Sequence, residues 1–333
     1  MAIVFTFGVS DLGVAKVKPD ANGQMNVHVD GNCDVLGMVD LGRVQPIPLL
    51  LYGPNATQPP LDIPVKPSLI FNQIGEADSH AHSLKSCVEL CRRLEGIPVI
   101  NHPAAVQRTT RDQVAKTLED IPGVRIARTV RIQPQSPAEV IESVDSLGIG
   151  FPAIMRTIGD HNARNVVRLD SPADADRLHV FAMDGRDFFL CEYIDTRNEA
   201  GLYFKHRIAM VGGEPIVRHA VFLDHWIVNS KSVPFMLEHP EFGDPVEFGR
   251  ELQEQRLPRA LPALKEIARR LDLDYFGMDC YVDENGGILV FEANANMNML
   301  VDGVFGVQIQ IQVDLLKQRI QRLLEEHSGE KLH

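Results

Sequence analysis

The chain has 333 residues, enough for a sizeable core and for two or three domains or subdomains. Hydrophobic residues at 44% and charged residues at 23% are ordinary globular values, and a formal net charge of -12 argues against a general nucleic-acid binder and against an anionic membrane surface. No apolar run reaches about 18 residues, and the first residues lack the basic region and cleavage site of a signal peptide. The five cysteines form no Cys-x-x-Cys pair, and Cys87 and Cys91, one helical turn apart, read as core thiols, so a reducing cytoplasm is the expected setting.

Residues 3–8 and 47–53 read as buried strands, 54–67 as a Pro- and Asn-rich loop, and 69–72 as a further strand. Ser79 is placed to cap a helix running to about Glu95, with Leu84, Val88, Cys91 and Leu94 on one face and Gly96 as its stop. Residues 98–101 are then a strand, and strands alternating with a helix imply a small open parallel α/β unit. Beyond a connector at 102–110, the pattern predicts a helix over 111–120, one strand over 124–132 and a helix beginning at Ser136-Pro137. A strand over 151–157 follows, leading into the polar loop 158–165. Another helix starts at Ser171-Pro172, and 188–194 is a strand. Residues 203–211 and 214–221 flank Gly212-Gly213 as a hairpin. Residues 233–256 carry six acids against Arg250 and Arg256 and read as a surface insertion or mobile lid. Helices are expected over 258–271 and 307–326, with a frayed tail.

Between those last helices, Asp283-Glu284-Asn285-Gly286-Gly287 separates two short apolar runs, a strong hairpin signal. A two-residue turn at Asn285-Gly286 places Asp279 directly opposite Glu292. Met278, Cys280, Val282, Leu289, Phe291 and Ala293 then share an apolar face, and Asn294 shares the face of the two acids. Opposed carboxylates repel. A divalent cation removes the repulsion, and two carboxylates with an amide oxygen suit magnesium carrying nucleotide phosphates. A solvated face with an incidental acidic pair accounts for the hairpin alone equally well.

Several strings in order carry a resemblance over about 96–296. They are GIPVINHPAAV (96–106), FFLCEYID (188–195), HRIAMVGGEPI (206–216), Asn229 after Trp226, and LDYFGMDCYV with FEAN (273–282 and 291–294). Together they resemble the ATP-grasp superfamily, in its glutathione-synthetase-like and ribosomal-protein-glutamate-ligase-like branch. The resemblance implies an α/β chain, α+β in the ATP-grasp unit. An N-terminal open α/β pre-ATP-grasp domain would span 1–105, a small ATP-grasp subdomain 106–194, and a C-terminal subdomain with the metal site 195–333. It implies ATP and Mg2+ (or Mn2+) as cofactors, with Asp279, Glu292 and Asn294 as metal ligands. Glu192, Tyr193 and Ile194 would meet adenine, partly through backbone groups at Tyr193 and Ile194, and Asp195 a ribose hydroxyl. Arg156, Arg207 and Asn229 would serve the phosphates and the reacting groups, with Arg111 near the nucleotide. Arg218, His219, His225 and Lys231 lie near these positions in the chain and read either as groups that bind an anionic substrate or as a solvated strand face.

The implied reaction is ATP-dependent ligation of a small-molecule or peptide carboxylate to an amine through an acyl phosphate, with a homodimer as the expected assembly and neither nucleic acid nor membrane as partner. Two departures stand out. Arg156 occupies the family's usual lysine position before the phosphate loop, and that loop keeps only Gly159, so His161, Asn162, Arg164 and Asn165 would have to supply donors. Arg111 or Asp112 falls near an earlier family lysine, with Lys116 as a displaced candidate. A small-molecule kinase, or a nucleotide- or peptide-binding protein without catalysis, are the competing readings.

Overall fold

The computed structural model describes residues 1–19, 25–52, 63, 65–159, 165–229, 231–297, 299 and 307–331. Most of the expected 54–67 loop and the centre of the 158–165 loop, with His161, Asn162 and Arg164, therefore lie outside the described residues.

The N-terminal unit is a parallel four-stranded sheet, built from β1 (Ala2–Gly8), β4 (Gln45–Leu51), β5 (Leu69–Asn72) and β6 (Val99–Ile100) in the order β4-β1-β5-β6. A small antiparallel ribbon, β2 (Lys16–Pro19) with β3 (Met25–His28), lies between β1 and β4 in the chain. Helix α1 (Ala81–Arg93) packs on this sheet through Leu84, Cys87 and Leu90. Its first N–H groups are capped from a distance. The Asp11 carboxylate accepts from Ala81 N and His82 N, whereas Ser79 Oγ turns to His80 Nδ1. Local spacing could not reveal a cap supplied from some seventy residues away.

The next segment differs from the single strand expected over 124–132. Helices α2 (Pro103–Val106) and α3 (Arg111–Leu118) lead to β7 (Val124–Ile126), which runs parallel to β15 (Ile288–Asn294) in the larger C-terminal sheet. After a break, β8 (Thr129–Ile132) enters a different sheet. That smaller sheet is antiparallel and has the order β10-β9-β11-β8. It is completed by β9 (Ala153–Thr157), β10 (Val166–Leu169) and β11 (Phe188–Glu192), with α4 (Pro137–Ser146) across its apolar face. The Ser171-Pro172 helix is a 3-10 helix over Pro172–Val180.

The larger sheet has the order β13-β12-β14-β15-β7, with β12 (Tyr203–Val211), β13 (Glu214–Leu223) and β14 (Tyr275–Val282) antiparallel to their neighbours. Helix α7 (Leu257–Leu271) lays Ala260, Leu264, Ile267 and Leu271 on one face of it, and α8 (Val307–Ser328) packs Leu316, Ile320, Leu323 and Leu324 against residues of the N-terminal unit and the large sheet together. Asn101 joins these two units. It adopts a left-handed conformation (φ 54) and clamps the start of β14, donating from Nδ2 to Tyr275 O (2.6 Å) and accepting from Tyr275 N (2.9 Å), while its own N–H reaches Asp274 Oδ2 (2.8 Å).

Residues 233–256 are not a detached lid. They form α5 (Ser232–Glu238), a turn, α6 (Pro245–Glu251) and a π-helical turn (Leu252–Arg256) running into α7. Phe235, Phe242 and Phe248 close around the fully buried Phe222 of β13. The acids dominated the sequence pattern, but three aromatic side chains fasten the segment. Among the described residues, no helix is long and apolar enough to cross a membrane.

Candidate active site

The three sheets and the N-terminal loops surround one cavity of about 1980 Å3. Its floor is the large sheet. Across adjacent strands, His219 faces Arg207, Arg207 faces Asp279, and Asp279 faces Glu292. This is a cross-sheet row of four chemistry-bearing side chains on one face.

The opposition of Asp279 and Glu292 is as expected, but the route to it is not. Asp283 and Gly287 close the turn, which leaves a three-residue loop of Glu284, Asn285 and Gly286. The pairing is therefore shifted by one residue near the turn, and a bulge between Asp279 and Cys280 shifts it back. The expected apolar face is corrected accordingly. Ile288 and Val290 are buried with Cys280 and Val282, whereas Leu289 and Phe291 are only partly buried and line the cavity. Two departures from the simplest hairpin cancel at the site.

Both carboxylates are held by cations. Asp279 accepts from Arg207 through Nε to Oδ1 (2.8 Å) and Nη2 to Oδ2 (3.0 Å), and from Lys205 Nζ (3.1 Å). Although Asp279 is only 7% exposed and burial alone would raise its pKa, Lys205 and Arg207 hold it well below the usual carboxylate range. Glu292 pairs with Arg111 Nη2 (2.8 Å) and accepts from Asn294 Nδ2 (2.8 Å); Arg111 Nη1 also donates to Phe291 O (2.7 Å). Arg111, at the first residue of α3, thus stands beside the acidic pair, and Lys116 is exposed away from the cavity. Lys205 is the residue that sequence reading missed. The available signal was its spacing, since positions 205 and 207 of one strand share a face.

His219 is kept neutral at pH 7. Burial, then Arg207, lowers its pKa to about 3, although the Asp279 charge acts in the opposite direction. Asn294 Oδ1 accepts from Asn296 N (3.0 Å), so its amide oxygen faces donors and retains a second lone pair. The donor set of two carboxylates and one amide oxygen is all oxygen and fits a hard divalent cation. Among the described residues, no cluster of three His, Cys, Asp or Glu provides an alternative metal centre.

On the small sheet, Arg156, Phe189 and Arg131 stand side by side on adjacent strands. Arg156, Thr157 and Gly159 line the cavity. Arg131 lies over the Phe189 ring (5.1 Å) and is bound by Asp78 (2.6 Å), Asp112 (3.4 Å) and Asp187 (3.0 Å), which fastens the small sheet to α3 and to the N-terminal unit. Asp112, near the position of the earlier family lysine, is committed to that network.

The hinge at 192–195 is partly as expected. Glu192, Tyr193 and Ile194 line the cavity. Glu192 Oε1 lies 3.3 Å from Arg125 Nη2, and Tyr193 N donates to Pro152 O (3.2 Å), so the Tyr193 N–H is already used. Tyr193 is fixed by its ring instead, with Arg168 above it (4.2 Å), Trp226 edge-on (6.0 Å) and its hydroxyl 3.1 Å from that of Tyr203. Asp195 does not line the cavity; it is exposed and paired with Arg197, whereas Thr196 does line it. Asn229 lines the cavity, but its Oδ1 accepts from Lys231 N (3.0 Å) and shapes the turn into α5. Of the other basic candidates, Arg218 and His219 line the cavity and His225 and Lys231 do not.

No protein-family profile and no curated protein matches the chain. Solved structures do match over nearly its whole length. D-alanine--D-alanine ligase from Bacillus anthracis is 13% identical, covers 99% of both chains and superposes with a TM-score of 0.55. A RimK domain ATP-grasp protein from Sphaerobacter thermophilus is 12% identical over 96% of this chain and 99% of its own, with a TM-score of 0.51. The ATP-grasp ligase PsnB, solved with a minimal precursor, Mg and ADP, is 15% identical over 98% of each chain, with a TM-score of 0.51. The chain has the ATP-grasp fold.

Proposed function

We propose that this protein is an ATP-dependent carboxylate–amine ligase. The observation that carries the reading is the row His219, Arg207, Asp279 and Glu292, flanked by Lys205 and Arg111, on the floor of a cavity large enough for a nucleotide and a second substrate. Asp279, Glu292 and Asn294 would hold Mg2+, with Mn2+ as its substitute, and the ion when bound neutralises polyphosphate charge. Each carboxylate has lone pairs beyond those given to its cationic partners, so ligation does not require those partners to leave. Lys205, Arg207 and Arg111 then turn part of their donor capacity toward phosphoryl oxygens, and Arg156 approaches from the small sheet.

In the reaction, a substrate carboxylate oxygen attacks the γ-phosphorus and the bond from that phosphorus to the bridging oxygen breaks, releasing ADP. The amine nitrogen attacks the acyl carbon, inorganic phosphate departs and the nitrogen loses a proton. Positioning and charge neutralisation are what this chain supplies. The Ile194 N–H and Glu192 address the adenine edge, and the Tyr193 and Trp226 rings shield the hinge side from water. Asn229 sits at the cavity margin as a turn-forming wall residue. We assign the small subdomain to 106–194 and the metal-bearing subdomain to 195–333, with 1–105 preceding them and β7 reaching across into the larger sheet. The proposed assembly is a cytoplasmic homodimer acting on a small-molecule or peptide acid.

Purified protein supplied with ATP, Mg2+ and panels of acids and amines should release ADP and form an amide only when both acceptors are present. Asp279→Asn should abolish turnover. A stable phosphorylated product formed without any amine would instead identify a kinase.

A further inference from the structure

Strand β13 contains a second irregularity that brings an arginine to the cavity. Arg207 pairs with His219 and Ile208 with Val217, so Arg218 is an extra residue between them. Side chains normally alternate between faces. Here Val217 and Ala220 are in the core while both Arg218 and His219 line the cavity. The bulge re-aims Arg218 toward that space.

Arg218 is only 2% exposed. Its Nε donates to Met299 O (2.7 Å), but Nη1 is buried and has no hydrogen-bond partner. Asp34 and Tyr275 act on it electrostatically, yet burial and Arg207 outweigh them and its pKa is lowered. Arg207 and Arg111 are the opposite case, with pKa values raised by their carboxylate partners. A buried guanidinium with an orphan N–H is unfavourable unless an anion completes it.

A second orphan donor lines the same cavity. Gln73 is fully buried; its Oε1 accepts from Leu36 N (3.0 Å), and its Nε2 has no partner. The wall is closely built. A Cβ on Gly75 would lie 2.4 Å from the backbone of Ala295 and Asn296, and one on Gly277 would lie 2.4 Å from Met297 Cβ. The N-terminal loop and the segment after β15 therefore meet closely at these two glycines.

We propose that Arg218 and Gln73 form a subsite for a second, non-reacting carboxylate of the acid substrate. This rests on the ligase reading above. Lys205, Arg207 and Arg111 already serve the phosphoryl group, and a carboxylate converted into an amide loses its charge. A buried guanidinium that stays charged through the cycle calls for an anion that persists through it. The substrate class is thus an acid with two carboxylates, one activated and one held.

Trp226 is the only tryptophan and lines the cavity, so its fluorescence reports binding. Wild type, Arg218→Met and Gln73→Glu would each be titrated with glutarate and with butyrate, with and without magnesium and a non-hydrolysable ATP analogue. Wild type should bind glutarate at least about ten-fold more tightly than butyrate. Both variants should lose that preference and keep wild-type affinity for the analogue. Gln73→Glu conserves shape and guards against a folding defect in the arginine variant. Equal binding of the two acids by wild type, or a preference kept in either variant, overturns the subsite. Turnover is measured separately, so failure to form an amide would refute the ligase reading without touching this result.

Discussion

Replacing Asp279 by asparagine removes one charge from the centre of the cross-sheet row while conserving volume. Asp279, Arg207 and Lys205 have side chains 10%, 18% and 17% exposed, so the pairs are largely buried. Breaking such a pair from one side costs about 3–5 kcal/mol, because the partner charges stay behind uncompensated. Glu292 also acts on Arg207 and softens that loss, which places the expectation near 3 kcal/mol. Relief of the repulsion between the opposed acids returns only about 0.2–1 kcal/mol, so destabilisation wins. The melting temperature at pH 7 should fall by roughly 5 °C. The pH dependence gives a sharper test. The folded pKa of Asp279 is depressed, so its contribution is fully present above the ordinary aspartate value near 4 and is lost as pH falls through the folded value. The gap between wild type and variant should be constant from about pH 5 to 8 and shrink in stronger acid. Thermal scans across pH 2.5–8 would measure it. A variant as stable as wild type at pH 7, or a gap that widens in acid, would refute the reasoning.

Three further outcomes are expected. Phe222→Ala removes the ring around which Phe235, Phe242 and Phe248 close, and should cost about 3–5 kcal/mol in urea unfolding; a negligible loss would restore the mobile-lid reading of 233–256. Asn101→Gly keeps the left-handed backbone but deletes both side-chain hydrogen bonds to Tyr275, an expected loss of about 2 kcal/mol, with faster hydrogen exchange at the Tyr275 amide as its local signature. His327 on α8 lies 3.2 Å from Asp274, which raises its pKa. Its contribution is therefore full below the unfolded histidine value near 6.5 and disappears as pH rises through the folded value. His327→Gln should accordingly be less stable than wild type at pH 6 and indistinguishable from it at pH 9, and a difference that grows with pH would contradict the pairing.

Local pattern was sufficient wherever one residue's neighbours in the chain set its environment. Alternation and Gly-rich turns located β12, β13, β14 and β15, because the two-residue period and the need for positive φ are written within a few positions. The same logic put Asp279, Glu292 and Asn294 on one face, whereas Arg207 is singled out only by the family resemblance. What was not legible depended on long-range approach. The Asp11 cap of α1, the splitting of 124–132 between two sheets, the attachment of 233–256 to Phe222, and the Lys205 and Arg111 partners of the two acids all join segments distant in sequence. The bulges are the clearest instance. In β15 the three-residue turn puts Leu289 and Phe291 on the cavity face and the bulge returns Glu292 to Asp279, and in β13 a bulge turns Arg218 inward beside His219. Residue identities declare which groups can bind a cation or an anion. Their register, which a single extra residue reverses, is decided only when the strands pair and the faces are buried.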